Sequence, residues 1–500
     1  MQFPLANYTH YSLGLGFSKP KDLIDYCVQN NLPACGIADY KSLSGAVDFY
    51  KCAKSAGVKP IVGCTLDECR LFAKNNAGWK DLVHIVSSID KDGNVDQNIL
   101  QELLLSNNLL RRPLELDTES YYPHTSDRIL HQILVCSKLK KTLSSIDKSI
   151  LDQYDGKHLK ASGVNLVNIY DSVEDINILH PPALPAFQTP NKETEEEYLK
   201  ILCRTGWEKL LAAKTKNLNT KQEYLDRFFK EFAVIKDANL FGYFLIVQDI
   251  IKFAQNKGWM TGPGRGSAAG CLVSYLLGIT KVDPIEYDLI FERFYNAGRN
   301  SKDHISLPDI DIDIPALKRD QIISYIKNKY GNSYVGQIVT FGRLQGRSAI
   351  KEVFRTKEAC SFTEVNEITK YIPDEAKISD QLEEMDEEDR SIIKWALINN
   401  ANDLKDFCFI NNLGELEGDY AEHFEHAIAI EGTFKTQGKH AAGIVVSGRK
   451  LIDVCPMVHQ REGEEKICGF EMEDLESVGL TKIDLLGLSL LDKLMYIKEI

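Results

Sequence analysis

The stretch LPDIDIDIP, residues 307–315, sets three carboxylates at alternate positions among three isoleucines. Side chains on a strand alternate between its two faces. The stretch therefore predicts a half-buried strand, with Ile310, Ile312 and Ile314 on one face and Asp309, Asp311 and Asp313 in line on the other. Like charges on one strand face repel unless something positive stands against them. A water-exposed cap or turn needs one aspartate rather than three in register. Carboxylates on a shared face suit Mg²⁺, which takes one or two of them together with substrate phosphates.

Two further stretches fit the same chemistry. In TGPGRGSAAGCLVSYLLG, residues 261–278, glycines at 262, 264 and 266 allow backbone N–H groups to turn toward an anion. Arg265 adds a charge, Ser267 a hydroxyl, and the following helix is expected to offer its positive N-terminal end. A tight turn feeding a buried helix would look the same, and the loop is not a GxxxxGK[ST] phosphate loop. In GLTKIDLLGL, residues 479–488, Lys482 and Asp484 share one strand face. Alone they read as an exposed ion pair; with the first two motifs they supply a third carboxylate and a cation. Two-metal phosphoryl transfer needs carboxylates bridging ions about 3.5–4 Å apart and donors around the triphosphate. A fourth motif, FGRLQGRSAIKEVFR at 341–355, repeats Arg343, Arg347, Lys351 and Arg355 every four residues, predicting a basic helix side that can track phosphates or simply face water.

The rest of the chain frames these sites. Its 500 residues are 44% hydrophobic and 26% charged, an ordinary globular balance with length for several domains. A net charge of −13 excludes a bulk basic field, so nucleic acid must be met by local patches. Twelve cysteines stand singly, none closer than Cys64 and Cys69, which points to free thiols in a reducing, cytoplasmic setting. No secretory signal opens the sequence, and its most apolar run, LFGYFLIV at 240–247, is too short to span a bilayer. SKPKDLIDYCVQNN predicts a helix capped by Ser18, with Leu23, Tyr26 and Cys27 on one stripe. PACGIAD, LSGAVDFYKCAKSAG and KPIVG then continue a βαβ rhythm that implies a parallel sheet or barrel. HPPALPAFQTPNKETEEE, 180–197, marks a boundary; helices follow, and β signals return at AAGIVVSG and GLTKIDLLGL.

Taken together, GPGRGSAAG, FERFYN, LPDIDID, IVTFGR, GKHAAGIVVS and GLTKIDLLGL, in that order and preceded by GYFLIVQDII, resemble the alpha subunit of bacterial DNA polymerase III, the C-family replicative polymerases. The set spans about 240 to 490. GIADYKSLSGAVDFYKCAKSAGVKPIVGC and AKNNAGWKDLV resemble that family's PHP domain. The resemblance implies a multidomain α/β and α+β protein: a distorted (β/α) PHP barrel, then a DNA polymerase beta-like nucleotidyltransferase palm with a helical thumb insertion. The expected boundaries are PHP 1–185, palm 186–343, thumb 344–432 and palm again 433–500. It further implies a DNA-directed DNA polymerase joining dNTPs to a primer 3′-hydroxyl with two Mg²⁺ ions held by Asp309, Asp311 and Asp484. Asp313 would be dispensable, since some family branches carry Asn there. Arg265, Gly266, Ser267, Arg293 of FERF and Lys482 would hold the triphosphate. Arg343, Arg347, Lys351, Lys435 and Lys439 would contact primer-template DNA.

Two departures qualify that expectation. Where active PHP domains carry a histidine-rich metal cluster, this chain has Ala6, Tyr8, Tyr40 and Thr65; Glu68, Glu119 and Tyr121 align with further ligand positions, and Asp39 survives nearly alone. The expectation is a PHP domain without metal and without proofreading, structural and docking a separate exonuclease, with His10 a satisfied surface or cap histidine. Second, the family continues into fingers, clamp-binding and OB-fold regions, whereas this sequence stops at LDKLMYIKEI. The expectation is a fragment, or one half of a split polymerase, as could occur in a phage, completed by a fingers-containing segment or chain, with the sliding clamp bound through regions lying elsewhere. The rival readings are a non-catalytic assembly half, a PHP-type phosphoesterase with a passive palm, and a DNA-binding module that leaves the aspartates unexplained.

Overall fold

A computed structural model describes the chain except for residues 297, 299–307, 387–388, 461–464 and 500. Leu307, which opens the aspartate stretch, lies outside the described residues. The chain is mixed α/β and divides into two compact units, each discontinuous in sequence: unit 1 is 1–177 with 340–438, and unit 2 is 178–339 with 439–500.

Unit 1 contains an open four-stranded sheet of β1 (Ala34–Tyr40), β2 (Lys59–Thr65), β3 (Cys69–Ala73) and β4 (Leu109–Pro113), in that order. Helix Ala46–Ser55 carries the crossover that lets β1 and β2 run parallel. The continuous parallel rhythm ends there. Only Leu66–Glu68 separate β2 from β3, too short for a crossover, so β3 and then β4 add antiparallel. A separate pair, Ala6–Asn7 with Glu119–Ser120, runs parallel, and among the described residues the strands do not close into a barrel. Gly36 admits the neighbouring backbone, because a Cβ there would stand 2.2 Å from the Leu5 carbonyl oxygen.

The expected first helix forms over Pro20–Gln29, but its cap is Lys19, with Pro20 in the first turn where a missing N–H costs nothing. Ser18 instead joins the bridge to Thr9, and Ile24 rather than Tyr26 completes the buried stripe with Leu23 and Cys27. The segment after 344 is helical, with Gly346–Lys357, Phe362–Lys370, Ile392–Asn399 and Ala421–Ile430. It shares one core with helix Arg128–Leu139: Leu130, Ile133 and Leu134 pack with Ile350, Val353, Phe354 and Phe424.

Unit 2 is built on the sheet of β5 (Ile312–Pro315), β6 (Val335–Arg343), β7 (Phe434–Val446), β8 (Met457–His459), β9 (Lys466–Cys468) and β10 (Thr481–Leu488), in the order β8-β9-β6-β7-β10-β5. β6 and β7 each contribute residues to both units. β10 pairs antiparallel with β7, Asp484 opposite Gly443, and parallel with the edge strand β5, Leu485 opposite Ile312. Helices Glu195–Leu210, Leu218–Asp237 and Phe241–Asn256 follow the expected segments, the first opened by a Thr194–Glu197 capping box that uses the acidic run. The apolar run at 240–247 is the buried core of the third, packed on Ile310, Ile312, Ile314, Ile483 and Leu485. Among the described residues no helix is long and apolar enough to cross a membrane. The proline-rich stretch lies extended in this unit: His180 and Ala183 N–H donate to the carbonyls of Ser477 and Gly479 at 3.0 and 3.1 Å.

Candidate active site

The aspartate stretch is shorter as a strand than its alternation predicts. β5 begins at Ile312, so Asp309 and Asp311 stand on the extended chain leading into it. The isoleucine side is as expected, with Ile310, Ile312 and Ile314 at 2% exposure or less. The aspartate side splits. Asp309 is exposed, Asp311 half-buried and Asp484 buried, and one carboxylate oxygen from each lies within 4.8 Å of the others. Asp313 is buried, turned toward the glycine-rich turn, with an oxygen 2.8 Å from Arg265 Nη2.

β10 carries the third carboxylate beside a cation. Lys482 Nζ lies 2.7 Å from Asp484 Oδ2, and both side chains are about nine-tenths buried. Asp484 Oδ1 is buried without a hydrogen-bond partner among the described residues. A buried carboxylate with an oxygen left so, grouped with two more carboxylates, is a donor set that fits a hard divalent cation, which takes oxygen ligands. The electrostatics agree. Loss of water raises the Asp309 carboxyl above its usual range, Lys482 opposing and Asp484 adding to it. Asp311 is raised by loss of water and by Asp309 and Asp484, against Arg265 and Lys482. The site is short of positive charge.

The glycine-rich turn approaches Asp313 closely. Gly262 N–H donates to the Asp313 carbonyl at 3.0 Å, and a Cβ at Gly262 would fall 2.4 Å from that of Asp313. Gly264 and Gly266 adopt φ of +97° and +58°, the left-handed region that glycine occupies without penalty. Arg265, Gly266 and Ser267 are exposed. The turn does not lead directly into the expected helix. Gly266–Gly270 is a 3₁₀ turn, and the helix after it is the short Leu272–Leu276. Its first turn is already occupied by the buried Glu231, whose Oε2 accepts from Val273 N–H at 3.0 Å. Glu231 is paired in turn with Arg227 at 2.6 Å. Arg293 is exposed on the 3₁₀ turn Phe291–Arg293.

Of the basic residues, Arg343 closes β6 rather than joining the helix, because the helix starts at Gly346; its guanidinium lies 5.0 Å from the Phe434 ring centroid. Arg347 pairs with Asp374 at 2.9 Å, while Arg355 and Lys435 both engage Glu352. The regular row thus reduces to Arg347, Lys351 and Arg355 on the helix, two of them held by acidic partners. Lys351, Lys435 and Lys439 are exposed.

The sequence reasoning missed several residues around the carboxylates. Tyr243, buried in helix Phe241–Asn256, accepts the Ile310 N–H at 3.2 Å, gripping the peptide between Asp309 and Asp311. Burial and the three carboxylates push its hydroxyl far above its usual range. Arg319 donates to the carbonyls of Leu485 and Ala442 at 3.1 and 3.2 Å, tying β10 to β7 beside Asp484. His440 Nδ1 accepts from Gly443 N–H at 2.7 Å. Gly443, across from Asp484, has no room for a side chain, since a Cβ would sit 2.9 Å from Ile338 Cδ1 and from His440 Nδ1. Only the GKHAAGIVVS pattern pointed toward the last two.

The N-terminal positions aligned with the PHP metal ligands hold protein partners. Asp39 accepts from Thr9 N–H, Thr9 Oγ1 and Ser12 Oγ at 2.7, 2.8 and 2.6 Å, and burial raises its carboxyl to about 6. Ala6 is buried, Thr65 donates to the Ala38 carbonyl, and Tyr40 donates to Asp67. Glu68 is exposed. Tyr8 stacks on Tyr121 with ring centroids 4.5 Å apart. Glu119 receives the fully buried Arg70, Lys157 at 2.7 Å and Tyr121 at 3.0 Å. His10 is not at the surface: it is 8% exposed, packs 4.2 Å from the Phe434 ring, and is held neutral by burial, its pKa lowered to about 3. The neighbouring aromatic rings account for a position that the hydrophilic YTHYS context hid.

Comparison with known proteins places the chain among relatives. The family described as "Bacterial DNA polymerase III alpha NTPase domain" matches residues 197–487, and the PHP domain family matches residues 5–161. Among curated relatives, a protein named DNA polymerase III subunit alpha from Borreliella burgdorferi is 32% identical over 97% of this chain and 48% of its own. Its namesake from Pseudomonas aeruginosa is 29% identical over 99% of this chain and 48% of its own, and that from Staphylococcus aureus 32% over 96% and 46%. The chain spans a little under half the length of these relatives.

Proposed function

Because the chain belongs to the bacterial DNA polymerase III alpha family, we propose that it carries the nucleotidyl-transfer centre of a C-family DNA-directed DNA polymerase, in which a primer 3′-hydroxyl attacks the α-phosphate of a dNTP and pyrophosphate leaves. The observation that carries this reading is the meeting of Asp309, Asp311 and Asp484, with oxygens within 4.8 Å, beside Lys482. Those three carboxylates would hold Mg²⁺, which when bound lowers the pKa of the attacking hydroxyl and neutralises the leaving pyrophosphate. Lys482 fixes the Asp484 carboxylate and offsets its charge. Tyr243 fixes the peptide from which Asp309 and Asp311 project. Arg265, the Gly266 N–H and the Ser267 hydroxyl receive triphosphate oxygens, assisted by Arg293.

Within this reading, 1–185 is the PHP domain, 186–343 and 433–500 the palm, and 344–432 the thumb, with Arg343, Arg347, Lys351, Lys435 and Lys439 against primer-template DNA. The PHP domain acts structurally and docks a separate exonuclease, because Ala6, Tyr8, Tyr40 and Thr65 offer no imidazole or carboxylate and Arg70 brings its own positive charge to Glu119. The protein works in the cytoplasm within a replisome, together with a fingers-containing segment or chain and a sliding clamp. Primer extension on a gapped template with dNTPs and Mg²⁺ tests the centre. Extension by the wild type that falls to background in Asp309→Ala is the expected result, and equal extension by both overturns the assignment.

A further inference from the structure

The third aspartate of the run does not sit with the other two. Asp313 lies in β5 with a side chain 6% exposed, and its carboxylate meets Arg265 Nη2 at 2.8 Å while 43% of the arginine side chain remains exposed. The same residue supports the turn through its main chain, its carbonyl accepting the Gly262 N–H at 3.0 Å. Gly262 has no room for a Cβ because Asp313 fills that space. A carboxylate buried behind a half-exposed guanidinium holds one of its nitrogens by a close ion pair while the rest of the side chain stays within reach of solvent.

We propose that Asp313 is a positioning residue for the nucleotide triphosphate: it holds Arg265 and the glycine-rich turn in the orientation that receives phosphate oxygens, and it is not a metal ligand. This rests on the reading of Arg265 as a phosphate-binding group. Asp313 is then neither equivalent to Asp309 and Asp311 nor expendable. Its removal frees a long side chain whose ordering must be repeated at every binding event.

The test uses the full chain and two equilibrium measurements: the Kd of Mg²⁺ with a non-hydrolysable α,β-imido dATP, and the Kd of Mn²⁺ alone. The proteins are wild type, Arg265→Ala, Asp313→Asn, the double variant and Asp309→Asn. Asp313→Asn is expected to weaken triphosphate binding about tenfold through loss of that ion pair. The double variant is expected to be no weaker than Arg265→Ala, because the two groups act as one unit. Mn²⁺ affinity should stay within about twofold of wild type in Asp313→Asn and fall in Asp309→Asn; retained Mn²⁺ binding also certifies the fold. Losses that add in the double variant, unchanged triphosphate affinity in Asp313→Asn, or an Mn²⁺ loss matching Asp309→Asn would each overturn the proposal. If Arg265→Ala binds triphosphate like wild type, the phosphate role of Arg265 fails and the proposal falls with it. That outcome is distinct from one in which Arg265 matters and Asp313 does not.

Discussion

Replacing Asp309 by asparagine should stabilise the protein without metal and destabilise it relative to wild type with metal. The three carboxylates place oxygens within 4.8 Å of one another, with Lys482 and, beyond it, Arg265 as opposing charges. At that separation two full charges repel by roughly 3.5 kcal/mol at an effective dielectric of about 20. Asp309 is exposed and Lys482 compensates in part, so a net of about 1 kcal/mol survives screening. For a unit of this size that corresponds to about 2–4 °C in melting temperature. Binding reverses the order: at a hundredfold excess over its Kd, a cation adds about 2.7 kcal/mol to the form that binds it. Thermal melts of wild type and Asp309→Asn in chelator and in Mg²⁺ should therefore cross, the variant melting higher in chelator and lower in Mg²⁺. A variant that melts lower in chelator, or that gains as much from Mg²⁺ as wild type, would refute the reasoning.

Two further predictions concern unit 1. Arg70→Met removes a fully buried guanidinium that serves Glu119, Asp117 and the Leu114 carbonyl. Breaking such a pair costs about 3–5 kcal/mol, here at the lower end because Lys157 and Tyr121 remain on Glu119; a change under about 1 kcal/mol in denaturant unfolding would contradict this. Asp39, raised to about 6 by burial, holds its proton in the folded state at pH values where the unfolded chain has lost it. Asp39's contribution to stability should thus be fully present below about pH 4 and be lost, by roughly 3 kcal/mol, as pH rises through about 6. Asp39→Asn should flatten that slope in unfolding curves taken across the window, and an unaltered slope would assign it elsewhere.

The range of the forces involved explains why some features were legible in the sequence and others were not. The alternation at Ile310, Ile312 and Ile314 and the helical periodicity of 195–256 are local patterns: the isoleucines are buried and the helices form as the patterns predict, although the strand itself begins only at Ile312. The separate destiny of Asp313 depends on Arg265, a partner on another segment, so no spacing rule distinguishes it from Asp309. Arg343 shares a four-residue interval with Arg347 and Lys351, yet it ends a strand, because the helix waits for Gly346. The occupied helix start at Leu272 is set by Glu231, far upstream, and the burial of His10 by Phe434, far downstream. Antiparallel β3 was legible in principle: the short link Leu66–Glu68 forbids a crossover.

The edge position of β5 has a consequence for synthesis. Among the described residues its sheet neighbour is β10, which leaves the ribosome long after it. Until Thr481–Leu488 emerges, the isoleucine strand lacks that hydrogen-bonding partner and the acidic pair beside it lacks Lys482. An apolar strand with an open edge is a template for association between chains. Nascent or truncated products ending ahead of β10 should therefore be the aggregation-prone species, and dependent on holding chaperones, while chains extending through Leu488 should escape that dependence.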